Sequence, residues 1–323
     1  MSLRSGDLTH MPWLMPIITQ WDHAILENRL GQALLVLGPA GLGQRLASEW
    51  LAQRLLCEKP TQAEGIHWPC GECGSCHLYG VDTHPDIIRV LIADDKKQIA
   101  IDDIRKLMAQ MALKANRGGY KVAIIDPADG LNVNSANALL KTLEEPPPQT
   151  VLVLCLARLE RLPATIASRC QRFLVSTPNR EVALRWLNGL STRPDWSDYL
   201  NLSGGAPLLA FEYMQNGAGS LLAEMNNLFQ DLSSPKVDLV ALAERSAQHF
   251  PLERLRWLEQ WVEQKVKQVL VRSPGIDLRG WYELWDEVKR SVLHVQGTLN
   301  VQVVFERVYL KLGQELARER RAG

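Results

Sequence analysis

The chain has 323 residues, of which 46% are hydrophobic and 22% are charged. This length exceeds that of a usual single hydrophobic core and predicts two or three domains, while the composition excludes an intrinsically disordered chain. The 36 basic and 36 acidic residues cancel, which excludes the large positive field of a protein that holds nucleic acid by itself.

The first residues, Met1–Trp13, contain no apolar segment behind a basic start, so we expect no secretory signal. The longest apolar run, Val151–Ala157, is far shorter than the roughly 20 residues of a membrane helix. We therefore expect no membrane span and a cytoplasmic location.

A glycine-rich loop follows the first predicted strand, Ala33–Leu37. It has the glycine spacing of a Walker A phosphate loop, G-x-x-x-x-G-K-[ST], and lies where such a loop belongs, between a strand and a helix. Gln44 replaces the lysine that reaches the β and γ phosphates, and Arg45 replaces the hydroxyl residue that holds magnesium. The sequence predicts either a tight turn of an unrelated α/β fold or a vestigial phosphate loop consisting of Gly38, Gly41, Gly43, Gln44 and Arg45.

Four cysteines have the spacing of a metal site. Cys70, Cys73 and Cys76 form a C-x2-C-x2-C array, and Cys57 upstream supplies a fourth thiolate for tetrahedral zinc. An iron-sulfur cluster of the ferredoxin type would need its next cysteine at position 80, which is Gly80. We therefore predict structural zinc, with His77 or His84 as alternatives to Cys57; Cys155 and Cys170 are expected to be small buried hydrophobic residues.

Buried strands are predicted to alternate with helices over the first half of the chain. Besides 33–37, the β-rich runs are Asp86–Leu91, Lys121–Asp126 and Val151–Ala157. This alternation predicts a parallel sheet flanked by helices. Asp126 has the position of a Walker B carboxylate, but Pro127 follows it where active enzymes carry a second acidic residue.

The run from Asp126 to Pro147 carries a more specific signal. It reads Asp-Pro-Ala-Asp-Gly-Leu-Asn-Val-Asn-Ser-Ala-Asn-Ala-Leu-Leu-Lys-Thr-Leu-Glu-Glu-Pro-Pro, and we expect Asn134 or Ser135 to cap its helix. This run resembles the signature of the clamp-loader subunits of bacterial DNA polymerase III, a family of the AAA+ class. The resemblance covers most of the chain and weakens beyond about residue 210.

Arg169 lies in the tripeptide Ser168-Arg169-Cys170, which is similar to the Ser-Arg-Cys motif of that family. The resemblance implies that Arg169, with Ser168 as part of the motif, is an arginine finger for the ATP site of an adjacent subunit. A guanidinium presents forked donors to a γ phosphate and stabilises the charge of the transition state. Because the chain's own loop is degenerate, such a finger implies an active neighbour.

Strand signals stop after 176–178, and helices are predicted from there on, with breaks at 203–207, 216–219 and 273–275. The resemblance implies an α/β AAA+ domain over residues 1–177 with a zinc module at 57–76. An all-α lid over 178–218 and an all-α collar over 219–323 would follow. Pro207 stands where an active lid carries its sensor 2 arginine.

These features predict a non-catalytic clamp-loader subunit with no functional ATP site of its own. The resemblance implies a heteropentameric ring with ATPase subunits and a delta subunit, and contact with the sliding clamp and primer-template DNA through that complex. The alternatives are an active ATPase motor subunit of the same complex and a separate zinc module for nucleic acid. Gln44, Arg45, Pro127 and Pro207 oppose the motor, and the neutral charge balance opposes the zinc module.

Overall fold

The four strands predicted in the first half of the chain form one parallel sheet together with a fifth strand. The structure, a computed structural model, describes residues 11–92, 98–193, 195–217, 219–232, 237–272, 278–295 and 300–322. The strands are β1 (Ala33–Leu37), β2 (Thr61–Ala63), β3 (Ile66–Trp68), β4 (Ile87–Leu91), β5 (Lys121–Asp126), β6 (Thr150–Leu156) and β7 (Gln171–Leu174). The order across the main sheet is β4-β5-β6-β1-β7, and β2 pairs separately with β3.

Three strands in the middle of the sheet are apolar and buried along their length. Every residue of β6 is buried, as are five of the six residues of β5, which is typical of parallel strands covered on both faces. The bounds predicted for β1 and β5 are confirmed, and those for β4 and β6 differ by one residue at one or both ends. The edge strand β7 was not predicted, because only Phe173 of its four residues is buried.

Helices cover both faces of this sheet. They are α1 (Met15–Leu26), α2 (Gln44–Leu56), α3 (Gly74–Gly80), α4 (Ile101–Met111), α5 (Val133–Glu144) and α6 (Ala164–Ala167). On one face, α4 and α5 pack against alternate strand residues in a buried apolar cluster that includes Leu35, Ile125, Leu154, Leu107 and Leu139. Helix α2 packs against β1, β5 and β6 without joining that cluster, so it covers the other face.

The helix of the family-like run begins earlier than predicted. The side chain of Asn132 caps α5 by accepting a hydrogen bond from the Ser135 backbone N–H at 2.9 Å. The prediction of Asn134 or Ser135 as the cap is therefore wrong. Leu139 and Leu143 are buried, and α5 ends at Glu144, two residues before the first proline.

From Arg180 onward the described residues form helices and the segments that connect them, with no strand. Its helices are α7 (Arg180–Leu190), α8 (Trp196–Leu202), α9 (Pro207–Gln215), α10 (Gly219–Asp231), α11 (Leu239–Gln248), α12 (Pro251–Arg272), α13 (Arg279–His294) and α14 (Val301–Ala322). The predicted break at 203–207 separates α8 from α9, whereas Ala218 and the break at 273–275 lie outside the described residues.

The chain divides into two compact units, Met1–Val182 and Ala183–Gly323. The first unit holds the sheet and the second holds helices α8 to α14, with the boundary inside α7. The predicted division of the helical part into a lid (178–218) and a collar (219–323) stays a prediction. Over the described part of the chain, no helix combines the length and the apolar character needed to span a bilayer.

Candidate functional site

The degenerate phosphate loop lies between β1 and α2, at the carboxyl end of a central strand. Gly41 and Gly43 adopt left-handed backbone conformations, with φ of 81° and 94°, which glycine tolerates without steric cost. Gly43 is the residue that precedes α2. The indole N–H of Trp13 donates to the Leu42 carbonyl at 2.8 Å and fixes the loop from the other side.

Gln44 turns its side chain back into this loop. The residue is 8% exposed, and its amide N–H donates to the carbonyl oxygens of Gly38 and Pro39. Those donors are therefore used within the chain. A neutral amide also lacks the charge with which lysine offsets the repulsion of a triphosphate.

The charge of Arg45 acts on two carboxylates, those of Glu49 and Asp126. Its guanidinium lies 3.9 Å from Glu49 one turn along α2. Burial raises the pKa of the Asp126 carboxyl above its usual value, and the nearby charge of Arg45 partly opposes that shift. The positive charge of Arg45 thus lies near Asp126, the carboxylate that would organise magnesium in an active site.

Asp126 itself has the place expected of a Walker B residue. Ile125 of β5 and Leu35 of β1 both pair with Leu154 of β6. Asp126, the last residue of β5, therefore lies near the carboxyl end of β1, where the loop begins. Pro127 follows it and offers no carboxylate. In the second unit, Pro207 is the first residue of α9 and has neither a side-chain donor nor a backbone N–H.

The four predicted cysteine ligands come together in the first unit. Cys57 caps the end of α2, Cys70 follows β3, Cys73 caps the start of α3 and Cys76 lies within α3. Their four sulfur atoms all lie within 4.8 Å of one another. This cluster contains neither His77 nor His84.

The sulfur positions fit a tetrahedral zinc ion. The Sγ atom of Cys57 lies 3.6 Å from that of Cys70 and 4.0 Å from that of Cys73, and Cys70 lies 4.0 Å from Cys76. Ligands at about 2.3 Å from a tetrahedral ion would be about 3.8 Å apart. The four residues can therefore hold zinc with little rearrangement.

Backbone N–H groups favour the thiolate form at this cluster. Cys57, Cys70 and Cys73 each accept an N–H···S hydrogen bond at 3.3–3.4 Å. Burial by itself would raise the pKa of Cys73, but the backbone N–H groups of Glu58 and Cys76 lower it to about 6. Burial raises the pKa of Cys57 and Cys76, so a bound cation would be needed to bring these two to the thiolate form.

A second layer of contacts holds the two ends of the cysteine module together. Glu58, next to Cys57, accepts hydrogen bonds from the Ser75 backbone N–H at 3.2 Å, the Ser75 hydroxyl at 2.9 Å and the Arg117 guanidinium at 2.7 Å. The nearby His67 is instead paired with the buried Asp22 at 2.9 Å. The second layer thus fixes the ligand-bearing segments relative to each other.

Arg169 lies on a short turn between anchored neighbours. Ala167 ends α6 and is 5% exposed, and Cys170 is buried in the sheet core, where burial raises its pKa to about 11. Ser168 caps α6 and donates its hydroxyl to the Thr165 carbonyl at 3.2 Å. The Arg169 side chain is 36% exposed, so a fixed backbone presents a guanidinium at the surface.

The turn that bears Arg169 lies at the amino ends of the parallel strands, whereas the phosphate loop lies at their carboxyl ends. It precedes β7, whose first residue pairs with Leu34 near the start of β1, whereas the loop follows the end of β1. The five residues of β1 separate the two ends of the strand by about 16 Å at 3.3 Å per residue. This distance is longer than an arginine side chain, so Arg169 does not reach its own chain's loop.

Two interactions were not predicted from the sequence. Glu144 accepts two hydrogen bonds from Arg169, but the adjacent pair Glu144-Glu145 gave no sign of which carboxylate would do so. Glu49 of α2 binds Arg89 of β4 through both carboxylate oxygens, at 2.7 and 2.8 Å, and also accepts from Tyr79 of α3. This second contact ties the loop helix to the cysteine module and to the sheet.

Comparison with known proteins finds similarity to subunits of DNA polymerase III. The family model described as DNA polymerase III, delta subunit, matches residues 14–179. The chain is 36% identical to DNA polymerase III subunit delta-prime of Pseudomonas aeruginosa over 256 residues, 76% of each chain. It is 36% identical to subunit tau of Bacillus subtilis over 152 residues, 47% of this chain and 26% of that one. Among solved structures, a DNA polymerase III gamma subunit-related protein of Thermotoga maritima aligns with a TM-score of 0.47 and 18% identity, covering 92% of this chain and 99% of that chain.

Proposed function

Because the chain belongs to the delta-prime family of DNA polymerase III subunits, we propose that it is a non-catalytic clamp-loader subunit that serves the ATP site of a neighbour. The observation that carries the proposal is that the phosphate loop and Arg169 lie at opposite ends of the parallel strands. The degenerate loop lies at the carboxyl ends of the strands, and an exposed arginine on a rigid turn lies at their amino ends. Such a chain would contribute to hydrolysis only in an assembly.

The phosphate loop supports the absence of intrinsic ATP hydrolysis. The side-chain amide of Gln44 donates its hydrogen bonds within the loop. Arg45 places a positive charge near Asp126, and Pro127 supplies no carboxylate. The chemistry that would lower the barrier to phosphoryl transfer therefore has no source in this pocket. We propose that the loop now acts as a rigid connection between β1 and α2.

Arg169 is proposed to act as an arginine finger in trans, with Ser168 shaping its turn. A guanidinium placed at the γ phosphate of a neighbour's ATP would stabilise the charge that develops during bond cleavage. The neighbours are proposed to be the ATPase subunits of the complex, with a delta subunit completing a five-membered ring. The match to subunit tau of Bacillus subtilis is consistent with a shared ancestry of such subunits.

DNA and the sliding clamp are proposed as partners of the assembled complex. The chain has 36 basic and 36 acidic residues, so its global charge supplies no attraction to a phosphate backbone. Placement of the clamp on primed DNA would thus depend on surfaces shared with other subunits. The cytoplasm, where thiols stay reduced, is the proposed compartment.

Zinc is proposed as a structural ion held by Cys57, Cys70, Cys73 and Cys76. When bound, it would neutralise the thiolates and tie the end of α2 to the start of α3. With four protein ligands the ion has no open position for substrate. The role proposed for the metal is therefore mechanical.

The test of this function is Arg169→Ala in the reconstituted complex. We expect DNA-stimulated ATP turnover at the neighbouring site to fall by about 10³-fold, the lower part of the range for loss of an arginine finger. Arg169→Lys should recover little of that loss, because lysine lacks the planar fork of donors. Turnover is measured at saturating ATP, with assembly checked by gel filtration.

Arg105→Ala is the matched control. Arg105 is also an exposed arginine paired with a carboxylate, Asp102 at 3.3 Å, but it lies on α4. We expect native turnover from this variant. Native turnover from an assembled Arg169→Ala complex would contradict the proposed function.

A further inference from the structure

Arg169 uses only some of its hydrogen-bond donors in contacts with its own chain. Arginine has five N–H donors, and three of them are used here. The Nε and Nη2 groups donate to Glu144 Oε1 at 3.1 and 2.7 Å, and Nη1 donates to the Thr165 carbonyl at 2.9 Å. The other two N–H groups, one on each Nη atom, have no acceptor among the described residues, and they can bind an oxyanion in bidentate fashion.

Glu144 is well placed to orient that guanidinium. It is the last residue of α5, a helix fixed by the buried side chains of Leu139 and Leu143. Its own side chain is 53% exposed. Among the described residues, the hydrogen bonds that its carboxylate accepts come from Arg169.

The two contacts of Arg169 have different origins. The Thr165 carbonyl belongs to α6, four residues earlier in the same turn, so it moves with Arg169. Glu144 is 25 residues away in sequence and belongs to a helix that packs on the sheet core. The carboxylate therefore fixes the guanidinium relative to the core, where a flexible arginine would sample many rotamers.

We propose that Glu144 is a positioning residue that holds Arg169 with its two remaining N–H groups directed outward, ready for the γ phosphate of a neighbouring subunit. This inference rests on the proposed function and deepens it. Glu144 does not touch the nucleotide; it acts by limiting the orientations of the guanidinium. A group held in the reactive geometry avoids the entropic cost of being ordered during the reaction.

The adjacent glutamate provides a matched comparison. Glu145 carries the same side chain one residue later and is exposed, but its hydrogen bond to Lys141 is made by the backbone N–H. No contact joins its carboxylate to Arg169 in the described residues. Glu145→Ala thus removes one acidic group from the same surface without removing the contact at issue.

The experiment compares the full-length variants in the reconstituted complex with primed DNA and saturating radiolabelled ATP. For Glu144→Ala we expect kcat to fall about two- to fivefold, the effect of losing one exposed ion pair. Glu144→Gln keeps an oxygen that can accept both N–H groups and should recover at least half of that loss. Glu145→Ala should give native turnover.

A double-mutant cycle separates positioning from a structural effect. In an Arg169→Ala background, Glu144→Ala should have no further effect on kcat, because the group that it positions is absent. An equal loss in both backgrounds would mean that Glu144 only stabilises α5 and would overturn the inference. Native or faster turnover of Glu144→Ala would overturn it as well.

The same series distinguishes this inference from the function on which it rests. If Arg169→Ala itself leaves turnover unchanged in an assembled complex, the arginine-finger role fails, and the positioning role fails with it. If Arg169→Ala lowers turnover but Glu144→Ala does not, only the positioning role fails.

Discussion

Gln44 and Arg45 occupy the two positions that carry the chemistry of a working Walker A loop. The glycines around them keep the loop conformation, with positive φ at Gly41 and Gly43. The backbone is therefore still shaped to approach phosphate, and the change lies in two side chains. One is hydrogen-bonded inside the loop, and the other places a positive charge near Asp126.

At the residue scale, we predict that Gln44→Lys combined with Arg45→Thr raises the affinity of the isolated chain for Mg-ATP by about 10- to 100-fold. The reason is that a charged hydrogen bond contributes about 1.5–3 kcal/mol and a hydroxyl can ligate magnesium. Isothermal titration calorimetry of native and double-variant chains measures the difference.

Hydrolysis should still be absent from that variant, because Pro127 supplies no acidic group. The single variant Gln44→Met, which removes the amide without adding charge, is the control for a change in loop packing. Equal affinity of the double variant and the native chain would show that the loop backbone itself no longer accepts phosphate.

Helix α2 connects two of the features described above. Its amino end receives the degenerate loop, and its carboxyl end is capped by Cys57 of the four-cysteine cluster. Between them, Glu49 binds Arg89 of β4, and hydrogen bonds from Arg89 and Tyr79 lower its pKa against the effect of burial. A metal ion at one end of α2 would thus restrain the helix on which the loop depends.

At the element scale, we predict one zinc ion per chain and its loss in Cys73→Ala. Removing a thiolate from a tetrahedral site leaves three ligands, and the tie between α2 and α3 weakens. We expect the melting temperature to fall by about 5 °C or more, since each kcal/mol shifts it by roughly 2–4 °C in a domain of this size. Metal content is measured by inductively coupled plasma mass spectrometry and melting by calorimetry.

Cys155→Ala is the matched control for this prediction. Cys155 is fully buried in β6 and outside the four-cysteine cluster, so this variant should keep its zinc although it loses core packing. Iron in place of zinc, or a native chain that carries no metal when purified without chelator, would contradict the assignment.

Two features of the whole molecule are consistent with the proposed role of a subunit in a larger assembly. Its sheet unit carries an arginine that does not reach its own loop, and the chain has no net charge. Either feature alone is compatible with many proteins. Together with the family membership, they favour a subunit whose activity is expressed in the ATP site of another chain.

At the scale of the whole molecule, we predict that the purified chain does not turn over ATP by itself, with or without primed DNA. The physical reason is that its pocket lacks the lysine, the magnesium-binding hydroxyl and the second acidic residue. Mixing it with the ATPase subunits of its complex should raise their DNA-stimulated turnover. A coupled phosphate-release assay, run first on the chain alone, measures both quantities; turnover by the isolated chain at about 1 per second or faster would contradict the proposal.

The sequence by itself determined the family and, to within one residue at each end, the strands β1, β4, β5 and β6, and it indicated the residues of the candidate sites. These features depend on local patterns: apolar runs, glycine spacing, cysteine spacing and a run of 22 residues from Asp126 to Pro147. Each pattern reports what a short segment favours. The weakly apolar β7 and the Asn132 cap escaped prediction because their signals are short and ambiguous.

Only the tertiary structure decided how those segments meet. The parallel pairing of β7 with β1 places Arg169 at the strand end opposite the phosphate loop, and the packing of α5 brings Glu144 rather than Glu145 to the guanidinium. It also assembles Cys57 with three cysteines that follow it by 13 to 19 positions. Pairing of this kind depends on strand register and on the burial of whole helix faces, which are properties of the folded chain and not of any one segment.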